Sequence, residues 1–291
     1  MNPMRLRRAG PGATAMALMV LFLPYAGAQE AVPGWNAHGG FAGGVNPTVL
    51  GVVGGVTHTT PLHPDRDGVL WDSARLEGGI EVLLNPSFTD LGARFFVEPI
   101  AVFDLTLRFG ARTFYDTFGL GLASLDGYGE TPPAASGEDY AGASGVGWFV
   151  GASPRLKLAV GPIVAANTFT ATRYDFRSSD TSFLEEPLTL SAVERTDWVL
   201  ENEALLLYRL QNVPASFSGI GPSYRVTWTP AALDIREPSQ RLAVSGVYAF
   251  EPTDRVTVQA AVFLGMYVNG EPIERDRPFV LAALTATRAA R

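Results

Sequence analysis

Residues 74–84 read Ala-Arg-Leu-Glu-Gly-Gly-Ile-Glu-Val-Leu-Leu. Every second residue from Ala74 is apolar or glycine, through Leu76, Gly78, Ile80, Val82 and Leu84. The intervening set is Arg75, Glu77, Gly79, Glu81 and Leu83. A strand points successive side chains to opposite faces, so this segment has one greasy side and one charged side. A helix would mix the two sets on every face.

The same period of two recurs along the chain. Leu105, Leu107, Phe109, Ala111, Thr113 and Tyr115 oppose Thr106, Arg108, Gly110, Arg112 and Phe114. Trp148, Val150, Ala152, Leu156, Leu158 and Val160 oppose Ser153, Arg155, Lys157 and Ala159. Residues 242–250 and 256–268 continue the pattern. Weaker alternation places further strands at 37–46, 49–60, 91–101, 162–176, 197–210, 220–229 and 278–288. The first of these is glycine-rich. Residues 201–210 also fit a helix through Ala204-Leu205-Leu206-Leu207, but Trp198, Leu200, Ala204, Leu206, Tyr208 and Leu210 share one strand face. The count is about 12, in a range of roughly 10–14.

Hydrophobic residues make up 47% of the chain, yet no stretch after the N-terminal leader holds the 18 or so consecutive apolar residues of a membrane-spanning helix. A chain that is apolar overall but spreads that character over alternate positions suits a single antiparallel transmembrane β-barrel, in which only every second residue meets lipid. Connection lengths agree. Short turns are expected near Ala101–Asp104, Gly161-Pro162 and Pro252-Thr253-Asp254, and long polar loops at Asp116–Gly145 and Arg177–Thr196. Short turns at one end and long loops at the other place the turns and both termini in the periplasm and the loops outside the cell. Tyr115, Tyr174, Phe176 and Trp228 close strands before a loop, and Trp148 and Trp198 open strands after one. These six are the expected aromatic girdle at the membrane interface.

The N-terminus carries Arg5, Arg7 and Arg8, then an apolar run from Ala15 to Tyr25, then Ala26-Gly27-Ala28. These three parts read as an export signal, residues 1–28, cleaved to leave residues 29–291 as the barrel domain. Without the leader's three arginines, 19 Lys and Arg stand against 29 Asp and Glu, a net charge of −10. That sign argues against nucleic acid as a partner. There is no cysteine, which excludes disulfides, thiolate metal sites and cysteine nucleophiles.

Leu84-Asn85-Pro86-Ser87-Phe88, and Glu98-Pro99-Ile100-Ala101-Val102-Phe103-Asp104-Leu105-Thr106-Leu107-Arg108, set proline-led tight turns between alternating strands. With the leader, these segments resemble porin-like outer-membrane β-barrel proteins of bacteria. The resemblance implies an outer-membrane location, with outer-membrane lipid, lipopolysaccharide and the barrel-insertion machinery as partners. Such proteins usually end on an aromatic residue, whereas the last residues here are Thr287-Arg288-Ala289-Ala290-Arg291.

Strand parity directs Arg75, Glu77, Glu81, Arg94, Glu98, Arg108, Arg112, Arg155, Lys157, Arg173, Glu201, Glu203 and Arg225 toward the barrel lumen. Adjacent strands lie about 4.8 Å apart, so these groups can pair across the ladder or line a narrow aqueous path. The expected function is a narrow passive channel or a structural envelope protein. One alternative is a lipid hydrolase at the membrane rim, the other a secreted soluble β-sandwich. Of His38, His58 and His63, only His58 has hydroxyls beside it in sequence, and no carboxylate orienter is near. No Gly-x-Ser-x-Gly, His-Glu-x-x-His or phosphate-cradling glycine loop occurs, so no catalytic residue, cofactor or metal site is assigned. Asp116, Asp126, Glu130, Glu138 and Asp139 form an acidic loop that reads as solvated, with weak calcium binding the sharper alternative.

Overall fold

The structure, a computed structural model, describes residues 33–45, 49–115, 122–130, 143–177, 182–186, 189, 191–211, 213, 217–253, 255–269 and 277–289. Twelve long strands form the wall: β1 (Gly34–Val45), β2 (Val49–Pro61), β3 (Arg75–Leu84), β4 (Phe88–Ile100), β5 (Phe103–Phe114), β7 (Gly145–Val160), β8 (Ile163–Arg177), β11 (Thr196–Arg209), β12 (Phe217–Trp228), β13 (Ser239–Thr253), β14 (Val256–Asn269) and β15 (Pro278–Ala289). Three short strands, β6 (Ser124–Leu125), β9 (Phe183–Glu186) and β10 (Ser191–Glu194), belong to the long connections. The wall strands pair antiparallel with their sequence neighbours, and β1 pairs with both β2 and β15, which closes the barrel. Closure removes the two unpaired edges that an open sheet would expose. The glycine-rich first strand completes this seal. At Gly40 a Cβ would lie 2.6 Å from the Leu284 carbonyl oxygen, so the close β1–β15 approach requires glycine.

A single closed barrel overturns the β-sandwich alternative, which needs two stacked sheets. The outer face is greasy. Ile80, Leu84, Leu91, Phe95, Leu107, Phe109, Leu156 and Leu158 are all exposed, while their neighbours Glu81, Asp90, Phe96, Arg112 and Arg155 are buried. The wall strands run from 10 to 16 residues, enough for the 9–11 that a tilted strand needs to cross a bilayer. Residues 201–210 continue as strand, because Leu205 and Leu207 pack inward while Leu206 and Tyr208 stay exposed.

Both described ends of the chain lie at one end of the barrel. The turns Ala101-Val102 and Gly161-Pro162 lie there too. Gly161 takes φ +58°, which only glycine adopts freely, and allows the two-residue β7–β8 connection. The β2–β3 connection at this end, residues 62–74, is longer than its companions. At the other end, β6, β9 and β10 form a separate three-stranded sheet in the order β10-β9-β6. The sequence reading treated both long connections as polar loops and missed it.

Candidate functional site

The interior is built in tiers. Nearest the turn end, Arg75 Nε lies 2.6 Å from Glu77 Oε1, and Arg75 Nη1 lies 2.5 Å from Glu98 Oε2. Lys157 Nζ reaches Glu98 Oε1 at 2.7 Å and Asp104 Oδ2 at 3.0 Å, and Arg155 Nη2 meets Asp104 Oδ2 at 2.6 Å. Glu98 also accepts from the Ser73 hydroxyl at 3.0 Å. Four strands, β3, β4, β5 and β7, are thereby tied across the ladder by charge-assisted bonds.

The middle tier is looser. Arg94 lies 3.6 Å from both Glu77 and Glu81, Arg108 lies 3.2 Å from Glu81, and His38 lies 3.7 Å from Glu81. The Arg108 side chain keeps 46% of its surface exposed although it turns inward beside Glu81, which keeps 6%. On the opposite wall Arg225 contacts Glu203 at 2.8 Å and Glu201 at 3.7 Å. Much of that wall is apolar, with Leu205, Leu207, Val247, Phe263, Tyr267 and Phe279 in one buried cluster, but Arg241 stands over the Tyr267 and Phe279 rings and Ser223 and Ser245 share a buried hydrogen bond.

The third tier is the mouth, at the long-loop end. Arg112 donates from Nε to Asp90 Oδ1 at 2.6 Å and from Nη2 to Asp90 Oδ2 at 2.7 Å, a bidentate fork, and a third bond runs to Glu186. Glu186 belongs to β9, so this contact fastens the small sheet to the wall. Leu184 and Val193 of that sheet join Phe88, Phe114, Tyr174, Phe176 and Val199 in a cluster with almost no solvent contact. Above them Leu125, Tyr128, Ala192 and Ala232 form a second layer. The Tyr128 hydroxyl donates to Asp197 Oδ2 at 2.6 Å. Burial, and then the Asp197 carboxylate, push that hydroxyl above the ordinary phenol range, so it stays a donor.

A closed barrel whose outer face is an apolar belt, broken by the mutually hydrogen-bonded pair Asn167 and Asn202, is a transmembrane barrel. No family model matches the sequence, and no curated protein matches it. Among solved structures, the chain is similar to the KdgM porin in complex with disordered oligogalacturonate, at 8% identity, covering 88% of this chain and 99% of that chain, with a TM-score of 0.39. It is similar also to the β domain of the Bordetella autotransporter BrkA, at 10% identity, covering 90% and 100%, with a TM-score of 0.42. A third is OmpT, an outer membrane protein of Vibrio cholerae, at 8% identity, covering 88% and 96%, with a TM-score of 0.32.

The inward face carries Arg75, Glu77, Glu81, Arg94, Glu98, Arg108, Arg112, Arg155, Lys157, Glu201, Glu203 and Arg225, held in the pairs above. Arg173 does not join them. It pairs across the ladder with Val150 and Trp198, both exposed on the outer face, and is itself exposed. Tyr174 and Phe176, expected in the interfacial girdle, are instead inside the barrel, at 5% and 0% exposure, and stack on each other with centroids 5.1 Å apart. The two corrections share one cause. Parity on β8 was assigned by turning charge inward and aromatics outward, but the small sheet makes the mouth interior apolar, so Tyr174 and Phe176 pack under it. Trp148 and Trp198 stand exposed on the outer face, Trp228 is on that face beside Phe169, and the Tyr115 hydroxyl bonds the Thr89 hydroxyl just past β5.

Sequence reasoning missed Asp90, Asp104 and Glu186. Asp90 and Asp104 lie just outside the predicted strand limits, so longer strands would have included both. Glu186 lies in a loop with no alternating signal. His58 faces outward against the Trp35 ring, and His63 packs edge-on to Trp71. Asp116, Glu138 and Asp139 lie outside the described residues. In the described part of that loop Glu130 is occupied by a bond from the Asp126 backbone N–H.

Proposed function

We propose that this protein is an outer-membrane barrel acting as a narrow passive channel, closed by the sheet β6/β9/β10 at its extracellular mouth. Residues 1–28 are its export signal, cleaved after Ala28, and the barrel-insertion machinery places residues 29–291 in the membrane. The observation that carries the reading is Arg108. A guanidinium 46% exposed inside the wall, below a mouth packed to near-zero exposure, supports the reading of a solvated lumen under a stopper. Charged rings in such a lumen bias which ions pass. The apolar cluster on the β11–β15 wall favours a second reading, a purely structural envelope barrel.

Planar-bilayer recordings on the full chain separate the two. The channel reading expects wild-type protein to be mostly silent and Arg112→Met, which releases the small sheet, to show discrete conductance steps. Adding Arg108→Ala to that variant changes its cation-to-anion preference. Silence of a folded Arg112→Met barrel across a range of salt and voltage leaves the structural reading.

A further inference from the structure

Along the regular ladders of the twelve wall strands, the outward face carries charge at two places. One is Arg288, at the turn end of β15. The other is the long-loop end of β8, where Arg173, Asp175 and Arg177 share the outward parity of Ile163 and Phe169. Everything else on that face, among the described residues, is apolar, small or neutral.

The β8 group sits among aromatic side chains. Trp198 is the direct cross-strand partner of Arg173, and Trp148 that of Asp175. Both indoles are exposed, at 43% and 55%. Direct partners have Cβ atoms about 5 Å apart, so the arginine and the indoles form one continuous patch. Tryptophan rings settle at the headgroup level, which fixes the height of Arg173 in the bilayer. Asp175 lies 3.9 Å from Arg177 and accepts from the Thr196 hydroxyl at 3.4 Å. The Arg173 side chain makes no ion pair or hydrogen bond among the described residues.

A cation on a lipid-facing wall is costly in hydrocarbon and tolerable at the interface, where it needs an anion. On this face hydrocarbon is below Arg173 and headgroups are beside it. The guanidinium fork matches a phosphate bidentately. Arg173 and Arg177 are four residues apart, about 13 Å along the strand, so each can take a separate phosphate.

We propose that Arg173 and Arg177, flanked by Trp148 and Trp198, form a docking site for the phosphorylated disaccharide headgroup of lipopolysaccharide in the outer leaflet. Acyl chains run down the outer wall below Trp198, along Leu200 and Phe169, and the two arginines hold the phosphates. The choice of leaflet rests on the orientation given under Proposed function. The site's chemistry does not depend on conduction, so a silent channel leaves it intact.

The test uses the full chain purified in detergent, with bisphosphorylated lipid A as probe and native mass spectrometry as readout. Heat-modifiable gel migration verifies that each variant keeps its barrel. Arg173→Gln with Arg177→Gln is expected to weaken binding about tenfold or more. Arg288→Gln, at the opposite rim, leaves it unchanged. Asp175→Asn removes the one acid on the patch and strengthens it. Phosphatase-treated lipid A binds wild-type protein as weakly as intact lipid A binds the double variant, and excess inorganic phosphate fails to displace the lipid. Equal retention of lipid A by wild type and double variant overturns the site. Displacement by inorganic phosphate alone overturns the headgroup assignment.

Discussion

Replacing Arg112 with methionine removes the cation that joins wall and stopper. Arg112 is 1% exposed, and its guanidinium is held bidentately by Asp90 at 2.6 and 2.7 Å and bonded also to Glu186. Without it two carboxylates share an enclosed volume with no counter-charge. Breaking a buried pair by deleting one partner costs about 3–5 kcal/mol. The wall is held by continuous ladders and cannot relax cheaply. The small sheet is held by less. Toward the barrel interior it is held by Leu184 and Val193, both wholly buried and worth about 1.5–3 kcal/mol each, and on its other face by the smaller Leu125–Ala192 layer. The strain therefore offsets much of the inward anchoring, and the sheet opens more often, carrying Glu186 into water. At about 1.4 kcal/mol per factor of ten, a cost of 3 kcal/mol raises the open population about a hundredfold. Hydrogen exchange reads this directly. Amides of β9 and β10 are expected to lose about two decades of protection, while β13 and β14 keep theirs. Adding Glu186→Leu to Arg112→Met removes the second carboxylate and restores much of the protection. Unchanged exchange in β9 and β10, or equal loss throughout the barrel, would refute the latch.

Three further outcomes follow from the packing. Phe176→Ala opens a cavity beneath the small sheet and is expected to cost about 3–5 kcal/mol, whereas Trp148→Ala, on the exposed face, costs under about 1 kcal/mol, both read from denaturant midpoints in vesicles. Leu107→Arg puts a charge on the lipid face near the middle of β5 and should destabilise by about 2–4 kcal/mol in the same assay, with no comparable effect if that face were solvated. Gly110→Ala places a Cβ 2.5 Å from the Leu91 carbonyl oxygen and 2.8 Å from the Phe149 ring, an overpacking cost of about 1–3 kcal/mol. Phe149→Leu in the same chain frees only the ring contact and should recover part of that loss.

The wall was legible in the sequence because a strand with lipid on one side and charge on the other writes its environment at every second residue. Residues 74–84 and 105–115 carry that record so plainly that parity alone turns Arg75, Glu77, Glu81, Arg108 and Arg112 to one face, while the specific pair Arg75–Glu98 comes from the β3–β4 register. β8 is harder to read. Its inward residues Thr168, Thr170 and Thr172 are weakly polar, its outward Ala165 and Asn167 are small or polar, and the face with Arg173 differs little from the face with Tyr174. What decides it is non-local. Leu184 and Val193, brought over the mouth by a distant connection, turn the interior there apolar. The sheet that carries them has strands of two to four residues, too short for any period to appear. Glu186 was hidden for the same reason. Its role comes from Arg112, 74 positions earlier, and no local pattern marks it.

A nitroxide scan through β5 and β8 of the protein in lipid vesicles tests the inside-out wall most directly. Labels at 107, 109 and 111, and at 169, 171 and 173, should collide with dissolved oxygen, with 173 nearest the headgroups. Labels at 108, 110, 170, 172 and 174 should be shielded from oxygen. An absence of alternation, or an inverted phase on β8 with 172 and 174 in lipid, would contradict the barrel as described.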